Sequence, residues 1–350
     1  MQGTLSGVVV VELGQILAAP FAGSIFCDLG AEVIKVERPE TGDDGRNMGP
    51  AFRNGDSMNF HVFNRGKKSV ELNLKTEEGR AKLDTILARA DVLIHNMRPG
   101  VPKDLHLDGE TLCKRFPRLV YCEISAFGHK GPMSDRPGYE PLIQAYSGLS
   151  SINGGPDDPP IRMGASVCDQ GSGMWAVIGA LSLLRQRDTT GKGGIVQTSL
   201  FETAMIWGSQ RTDAFRNQGV LMERHPTGHP NFVPYQSFDA ADGPMLLCAG
   251  NDRLFGKVAT VLGHPEWATD ERFKTNRSRL VNRQALLPQI SALVAQKPRA
   301  HWVAAFEAAG VPCSPVHSIP EVVKLPHTEA LGIFERVPGE DYTLTAMPIS

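Results

Sequence analysis

Over the first two hundred residues, apolar positions fall into short continuous runs separated by amphipathic or turn-rich stretches. The run VVVVEL (8–13) is β-branched and nearly free of polar residues, the pattern of a parallel strand buried on both faces. APFAGSIFCDLG (19–30) has helical spacing and stops at Gly30. AEVIKVE (31–37) is the next strand, so the chain opens on a βαβ unit. The pattern further predicts a helix over 76–90 and strands at 91–96 and, after a polar helical stretch, at 119–127. A buried helix at 174–187 and a strand at 194–200 follow. Strands and helices alternating to about residue 200 predict a doubly wound α/β domain.

The character changes after about residue 210. RHPTGHPNFVPYQSFDAADG (224–243) is rich in proline and aromatic residues and reads as a crossing into a new unit. Beyond it come a strand (244–250), helices at 252–263, 282–296 and 301–310, and VPCSPV (311–316), together a smaller α+β domain.

Composition narrows the class. The 350 residues are 41% hydrophobic and 21% charged with a net charge of −2, a globular composition large enough for two domains. With no field of one sign, neither nucleic acid nor a membrane surface is an expected partner. Cys27, Cys113, Cys122, Cys168, Cys248 and Cys313 form no C-x-x-C pair and read as reduced core residues. No basic segment precedes an apolar run of signal length, and no stretch is expected to supply the roughly 20 apolar residues of a membrane span. A cytoplasmic protein is expected. The ten histidines show no H-E-x-x-H spacing and no G-x-S-x-G occurs, so neither a zinc hydrolase nor a serine hydrolase is signalled.

Several short motifs carry candidate chemistry. The turn after the first strand reads ELGQILAAP and lacks the G-x-G-x-x-G that lets backbone approach a pyrophosphate, which argues against a dinucleotide dehydrogenase even though Glu37 ends the second strand. NRGKKSVELNLK (64–75) gathers Arg65, Lys67, Lys68 and Lys75 around a short alternating strand, either a solvated edge guarded by lysines or a cradle for a phosphorylated ligand. HNMRPG (95–100) ends a strand at the edge where open α/β sheets bind ligands, so Asn96 and Arg98 are either ligand contacts or turn residues. Tyr139 and Glu140 start an apolar helix, where the acid either offsets the helix dipole or, beside a second carboxylate, tunes charge and moves a proton. In RMGASVCDQGSGM (162–174), Asp169 precedes an apolar helix and reads either as its N-cap or as a nucleophile toward a thioester. On the second reading, Gly171 and Gly173 leave room for substrate and expose backbone N–H groups to an oxyanion.

Taken in order, these motifs resemble the family III CoA-transferases, which include formyl-CoA and carnitine CoA-transferases. The matching blocks are AAPFAGSIFCDLGAEVIKVERPETGD, NRGKKSVELNLKTEEGR, ADVLIHNMRPG, PRLVYCEISAFGHKGPMSDRPGYEPLIQAYSGL, GASVCDQGSGMWAVIGAL and HPNFVPYQSFDAADG, which span nearly the whole chain. The resemblance implies a Rossmann-like large CoA-binding domain (1–205), a linker (206–228), a small α+β domain (229–325) and a linker back to the large domain (326–350). It also implies an interlocked homodimer. Asp169 matches the family nucleophile, and Tyr139 and Glu140 the positions beside the thioester. Leu17, Ala18, Arg38, Leu72, Asn73, Lys75, Asn96, Met97 and Arg98 match CoA-contacting positions. No metal and no cofactor beyond CoA as co-substrate is implied; the partners are an acyl-CoA, a carboxylic acid and a second copy of the chain.

Departures refine the resemblance. Acyl-CoA racemases of the same superfamily use a histidine where this chain has Tyr139, so transfer is favoured over racemisation; an acyl-CoA-binding protein with an impaired site is a third reading. The glycine-rich loop of formyl-CoA transferases is missing from PYQSFDAADGPMLLCAGND, and Leu17 and Met48 replace their glutamine and tryptophan. Formyl or oxalyl specificity is therefore not implied. Asp104 stands where many members have an arginine, and the chain ends at YTLTAMPIS where relatives continue, which implies a truncated C-terminal segment.

Overall fold

The computed structural model describes residues 3–348. They form two compact units: one of residues up to 151, 162–217 and those from 331 onward, the other of 152–161 and 218–330.

The first unit is built on a six-stranded parallel sheet. Its strands are β1 (Val9–Glu12), β2 (Glu32–Glu37), β3 (Lys68–Glu71), β4 (Val92–His95), β5 (Val120–Ser125) and β6 (Gly194–Ser199), in the order β3-β2-β1-β4-β5-β6. This is the order of the dinucleotide-binding fold, with its reversal between β1 and β4. Val10 lies between Val33 and Val92, and Val92 in turn pairs with Val120. Val10, Val11, Val92, Leu93 and Ile94 are all fully buried, because helices cover both faces and leave no polar side to these strands. On one face, Leu83 and Leu87 of helix Glu77–Leu87 and Leu112 of helix Gly109–Arg115 pack against Val11, Leu93 and Tyr121. On the other lie helices Ala18–Asp28 and Val167–Thr190, the second brought so close that the Cys122 thiol faces the Ala176 carbonyl. A hairpin of Phe334–Arg336 and Thr343–Thr345 also belongs to this unit, tied down by Tyr342 on His61 and by the Met347 N–H on Asp28.

Three expectations are corrected here. The helix foreseen at 174–187 begins at Val167, so Asp169 is its third residue rather than its cap; the N-cap position is Ser166. At 24 residues it is also, by length and composition, apolar enough to cross a membrane, contrary to the expectation of no such stretch. Here it serves as a core helix, burying Cys168, Ala176, Val177, Ala180 and Leu184 within the α/β unit. Gly171 and Gly173 are buried helical residues, not an open route. A Cβ on Gly173 would stand 2.7 Å from the Ala18 carbonyl oxygen, and one on Gly171 2.6 Å from Thr203. Both glycines permit close helix packing, and their N–H groups lie inside the helix.

The second unit has an antiparallel sheet of Tyr235–Ala240, Gly243–Cys248 and Cys313–Pro315. Phe238, Met245 and Leu247 pack on Phe255, Leu286, Ile290, Trp302 and Phe306 from three helices. Arg224 fastens residues 153–159 within this unit by donating to the carbonyls of Asn153, Pro156, Asp158 and Pro159.

Candidate active site

In an open parallel sheet the loops after two strands on either side of the reversal diverge and leave a crevice at the C-terminal edge. Here that crevice is a cavity of about 430 Å³. Its wall is formed by the loop after β1 (Gln15–Ala18), the turn after β4 (Asn96–Arg98), the end of β5, and Tyr139, Glu140 and Asp169.

Glu140 organises the acidic end. It is the first residue of helix Glu140–Tyr146 and only 4% exposed. Its Oε1 accepts from the Cys168 N–H (3.1 Å) and the Gln144 side-chain amide (2.7 Å), and its Oε2 accepts from the Asp169 N–H (2.7 Å). Ser166 makes no side-chain cap, so the Glu140 carboxylate satisfies the open N–H groups of the first turn of the Asp169 helix. Gln144 passes the restraint on by accepting from the Met163 N–H at 2.8 Å.

Asp169 is thereby freed from capping. Among the described residues its carboxylate accepts no hydrogen bond, and it lines the cavity. Burial, and then the charge of Glu140, push its pKa up to about 7. A carboxylate desolvated beside another negative charge and left without donors is poorly stabilised, and so is more nucleophilic than an exposed aspartate.

A model of CoA-transferase family III matches residues 5–350. The chain belongs to CoA-transferase family III. It is 38% identical to the acetyl-CoA:oxalate CoA-transferase of Acetobacter aceti over 94% of this chain and 85% of that one. It is 37% identical to the succinyl-CoA:glutarate CoA-transferase of Mus musculus over 91% of this chain and 73% of that one. A crystal structure of a CAIB/BAIF family protein from Brucella suis superposes with a TM-score of 0.88 at 37% identity, covering 100% of this chain and 93% of that one. Members of the family are enzymes that transfer CoA.

The residues assigned by resemblance in this family III chain divide into two groups. Leu17, Ala18, Arg38, Asn96, Met97, Arg98, Tyr139, Glu140 and Asp169 all line the cavity. Leu72, Asn73 and Lys75 do not. They follow β3 on the same edge of the sheet, beyond Glu37 and Arg38, with Leu72 buried in the core and the Asn73 side chain accepting from the Lys75 N–H. Arg38 is held by Asp44 and the Gly42 carbonyl. Asn96 spends its amide on the backbone of Gln15, accepting from its N–H and donating to its carbonyl, each at 2.9 Å. Arg98 forms no ion pair among the described residues and reaches the Tyr139 hydroxyl at 3.5 Å. His95, kept neutral by burial with its pKa lowered to about 3, accepts from the Met97 N–H and bonds Tyr121, fixing the turn that carries Arg98.

The four basic residues of 64–75 do not form one cradle. Lys68 pairs with Glu32 on the edge strand, as a solvated edge requires, and Arg65 pairs with Asp28. Lys67 is buried against Glu12 at 2.6 Å. Gly23 makes room for that pair, since a Cβ there would lie 2.1 Å from Glu12 Oε2. His225 and His229 stand four apart in the chain, but His225 faces Arg283 while His229 lies among Phe232 and Tyr235.

Proposed function

We propose that this family III enzyme carries CoA from an acyl-CoA to a carboxylic acid on Asp169. The observation that carries the reading is a carboxylate in the wall of the cavity at the sheet's reversal, without donors among the described residues and with its pKa raised to about 7. An Asp169 oxygen attacks the thioester carbonyl carbon, the C–S bond breaks, and a mixed anhydride and CoA thiolate form. The thiolate attacks the aspartyl carbonyl and the donor acid leaves as its carboxylate, giving an aspartyl-CoA thioester. The acceptor carboxylate attacks that thioester, forming a second anhydride and thiolate. Attack of the thiolate on the acceptor carbonyl releases the new acyl-CoA and restores Asp169. Charge and atoms balance with no net proton, and thioester energy is conserved in each intermediate. Glu140 holds the helix terminus beneath Asp169, while Tyr139 lies beside the thioester.

The CoA chain is assigned to the wall formed by Leu17, Ala18, Arg38, Asn96, Met97 and Arg98, with Leu72, Asn73 and Lys75 at its outer end along the same edge. Short dicarboxylic acids are the proposed acceptors: two relatives act on oxalate and on glutarate by name, and Arg98 is a cavity cation without a carboxylate partner among the described residues. An interlocked homodimer is supported by exposed Met174, Trp175 and Ile178 on one helix beside Ile206 and Trp207. Six free cysteines fit a cytoplasmic setting.

The test is incubation with acetyl-CoA or succinyl-CoA and a panel of mono- and dicarboxylates, with mass spectrometry of new thioesters and of a hydroxylamine-trapped adduct on Asp169. Asp169→Ala should abolish transfer and leave CoA binding in place. An active alanine variant refutes the role of Asp169.

A further inference from the structure

The loop after β1 contains a strained residue that the proposed chemistry does not use. Ile16 lies in the cavity wall with φ of 67°, in the left-handed region. A β-branched side chain is crowded there, and such a conformation persists only where its surroundings enforce it. The surroundings are unusually complete, because three consecutive residues are each held by a side chain from elsewhere in the unit. Lys35 of β2 donates to the Gly14 carbonyl at 3.0 Å. Asn96 clamps both backbone groups of Gln15. Asp43 Oδ1 accepts from the Ile16 N–H at 2.9 Å.

Asp43 is itself fixed and buried. Its Oδ1 also accepts from the Gly45 N–H at 2.8 Å, its own N–H donates to Glu37 at 2.9 Å, and its Oδ2 meets Lys35 Nζ at 2.8 Å. Lys35 continues to Glu12 at 2.7 Å, so the network runs from the floor of the sheet to the strained peptide. Glu12, Lys35 and Asp43 are each 1% exposed or less. Lys67 joins them on Glu12 at 2.6 Å, and burying four charges does little to stabilise a fold, since apolar residues of like size do as well. Directing them onto one loop of the cavity accounts for their presence better.

We propose that Asp43, braced by Lys35, is a positioning residue for the transfer site: it holds Ile16 in the left-handed conformation and so sets the cavity wall at Ile16–Ala18. This inference rests on the reading that the cavity binds CoA. Its specific consequence is energetic coupling between Asp43 and residue 16. Glycine adopts φ of 67° without steric cost, so with glycine at position 16 the wall no longer needs Asp43.

The test is a double-mutant cycle read by calorimetric titration with free CoA and by amide exchange of the unliganded protein. Asp43→Ala should weaken CoA binding about 10- to 100-fold in the Ile16 background and about 3-fold or less in the Ile16→Gly background. Asp43→Asn keeps an acceptor for the Ile16 N–H and should stay within about 3-fold of the parent. Amide exchange at Ile16 should quicken about 10-fold or more in Asp43→Ala. Equal losses in both backgrounds, or unchanged exchange at Ile16, overturn the proposal. If Asp43→Ala does not fold, Asp43→Ser carries the same cycle. Arg98→Ala checks the cavity separately: if its CoA affinity matches that of the parent, the cavity reading falls, and exchange at Ile16 alone then decides the role of Asp43.

Discussion

Replacing Asp169 by asparagine removes the charge while keeping the shape and the backbone N–H that Glu140 accepts. The free carboxylic acid titrates near 3.8, and in the folded protein burial and the Glu140 charge raise this to about 7. In the unfolded chain the group therefore loses its proton near pH 4, while the native state holds it until near neutrality. Between those limits the native state binds more protons at this group, so the contribution of Asp169 to stability falls as pH rises and levels off above about 7. A rise from 3.8 to about 7 corresponds to about 4 kcal/mol. Because Asp169 faces a cavity that admits solvent, screening reduces the expected difference to roughly 2–4 kcal/mol. Asp169→Asn carries no such penalty. Its advantage over the parent should be near zero at pH 4, grow through pH 5 and 6, and stay constant above about 7.5. Urea unfolding of both proteins followed by circular dichroism across pH 4–8.5 measures this, since titrating groups that do not interact with Asp169 cancel in the difference. A pH-independent difference, or a parent more stable than the variant at pH 8, would refute the claim that this site stores destabilising charge. The same variant should have lost transfer activity, as expected where a reactive group is kept at the expense of stability.

Other outcomes follow from the same geometry. If Asp169 is the nucleophile, as proposed, kcat/KM should rise with pH to a plateau above about 7, and Glu140→Gln should move the inflection downward by removing the second cause of its raised pKa. An inflection near 4 in the parent would contradict the burial argument. Glu140→Ala leaves the N–H groups of Cys168 and Asp169 without their acceptor and should cost about 2–3 kcal/mol in urea unfolding together with a fall in kcat of roughly 100-fold or more. Unchanged kcat would rule out its organising role. Gly173→Ala drives a methyl group against the Ala18 carbonyl and should lower stability by about 1–3 kcal/mol; a neutral effect in thermal unfolding would mean that the helices part without cost.

Much of this molecule was legible in local pattern. β-Branched runs such as VVVVE and VLIH must be buried on both faces, so the alternation of strands and helices implies a parallel sheet. Loops at the C-terminal edge of such a sheet carry ligands, which made Asn96, Arg98 and the loop after β1 candidates on position alone. Other features depend on neighbours distant in sequence. Asp169 looked like a cap because an acid before an apolar run usually is one; the cap came instead from Glu140, 29 residues earlier, and that substitution allowed the helix to begin at Val167. Gly171 and Gly173 looked like clearance because glycine patterns do not distinguish space for a ligand from space for a neighbouring helix. The strain at Ile16 and the partners of Lys67 were likewise hidden, since neither a positive φ nor a buried ion pair has a reliable signature in a single residue.

By itself, the sequence determined the sheet, its helices and the edge at which a ligand binds, because burial on two faces and turn chemistry are properties of contiguous residues. Only the tertiary structure decided which acid is tied up by backbone donors and which faces the cavity. Among the described residues Glu140 receives three N–H donors and Asp169 none, an allocation set by how two helices meet, while burial and the Glu140 charge raise the pKa of Asp169 to about 7.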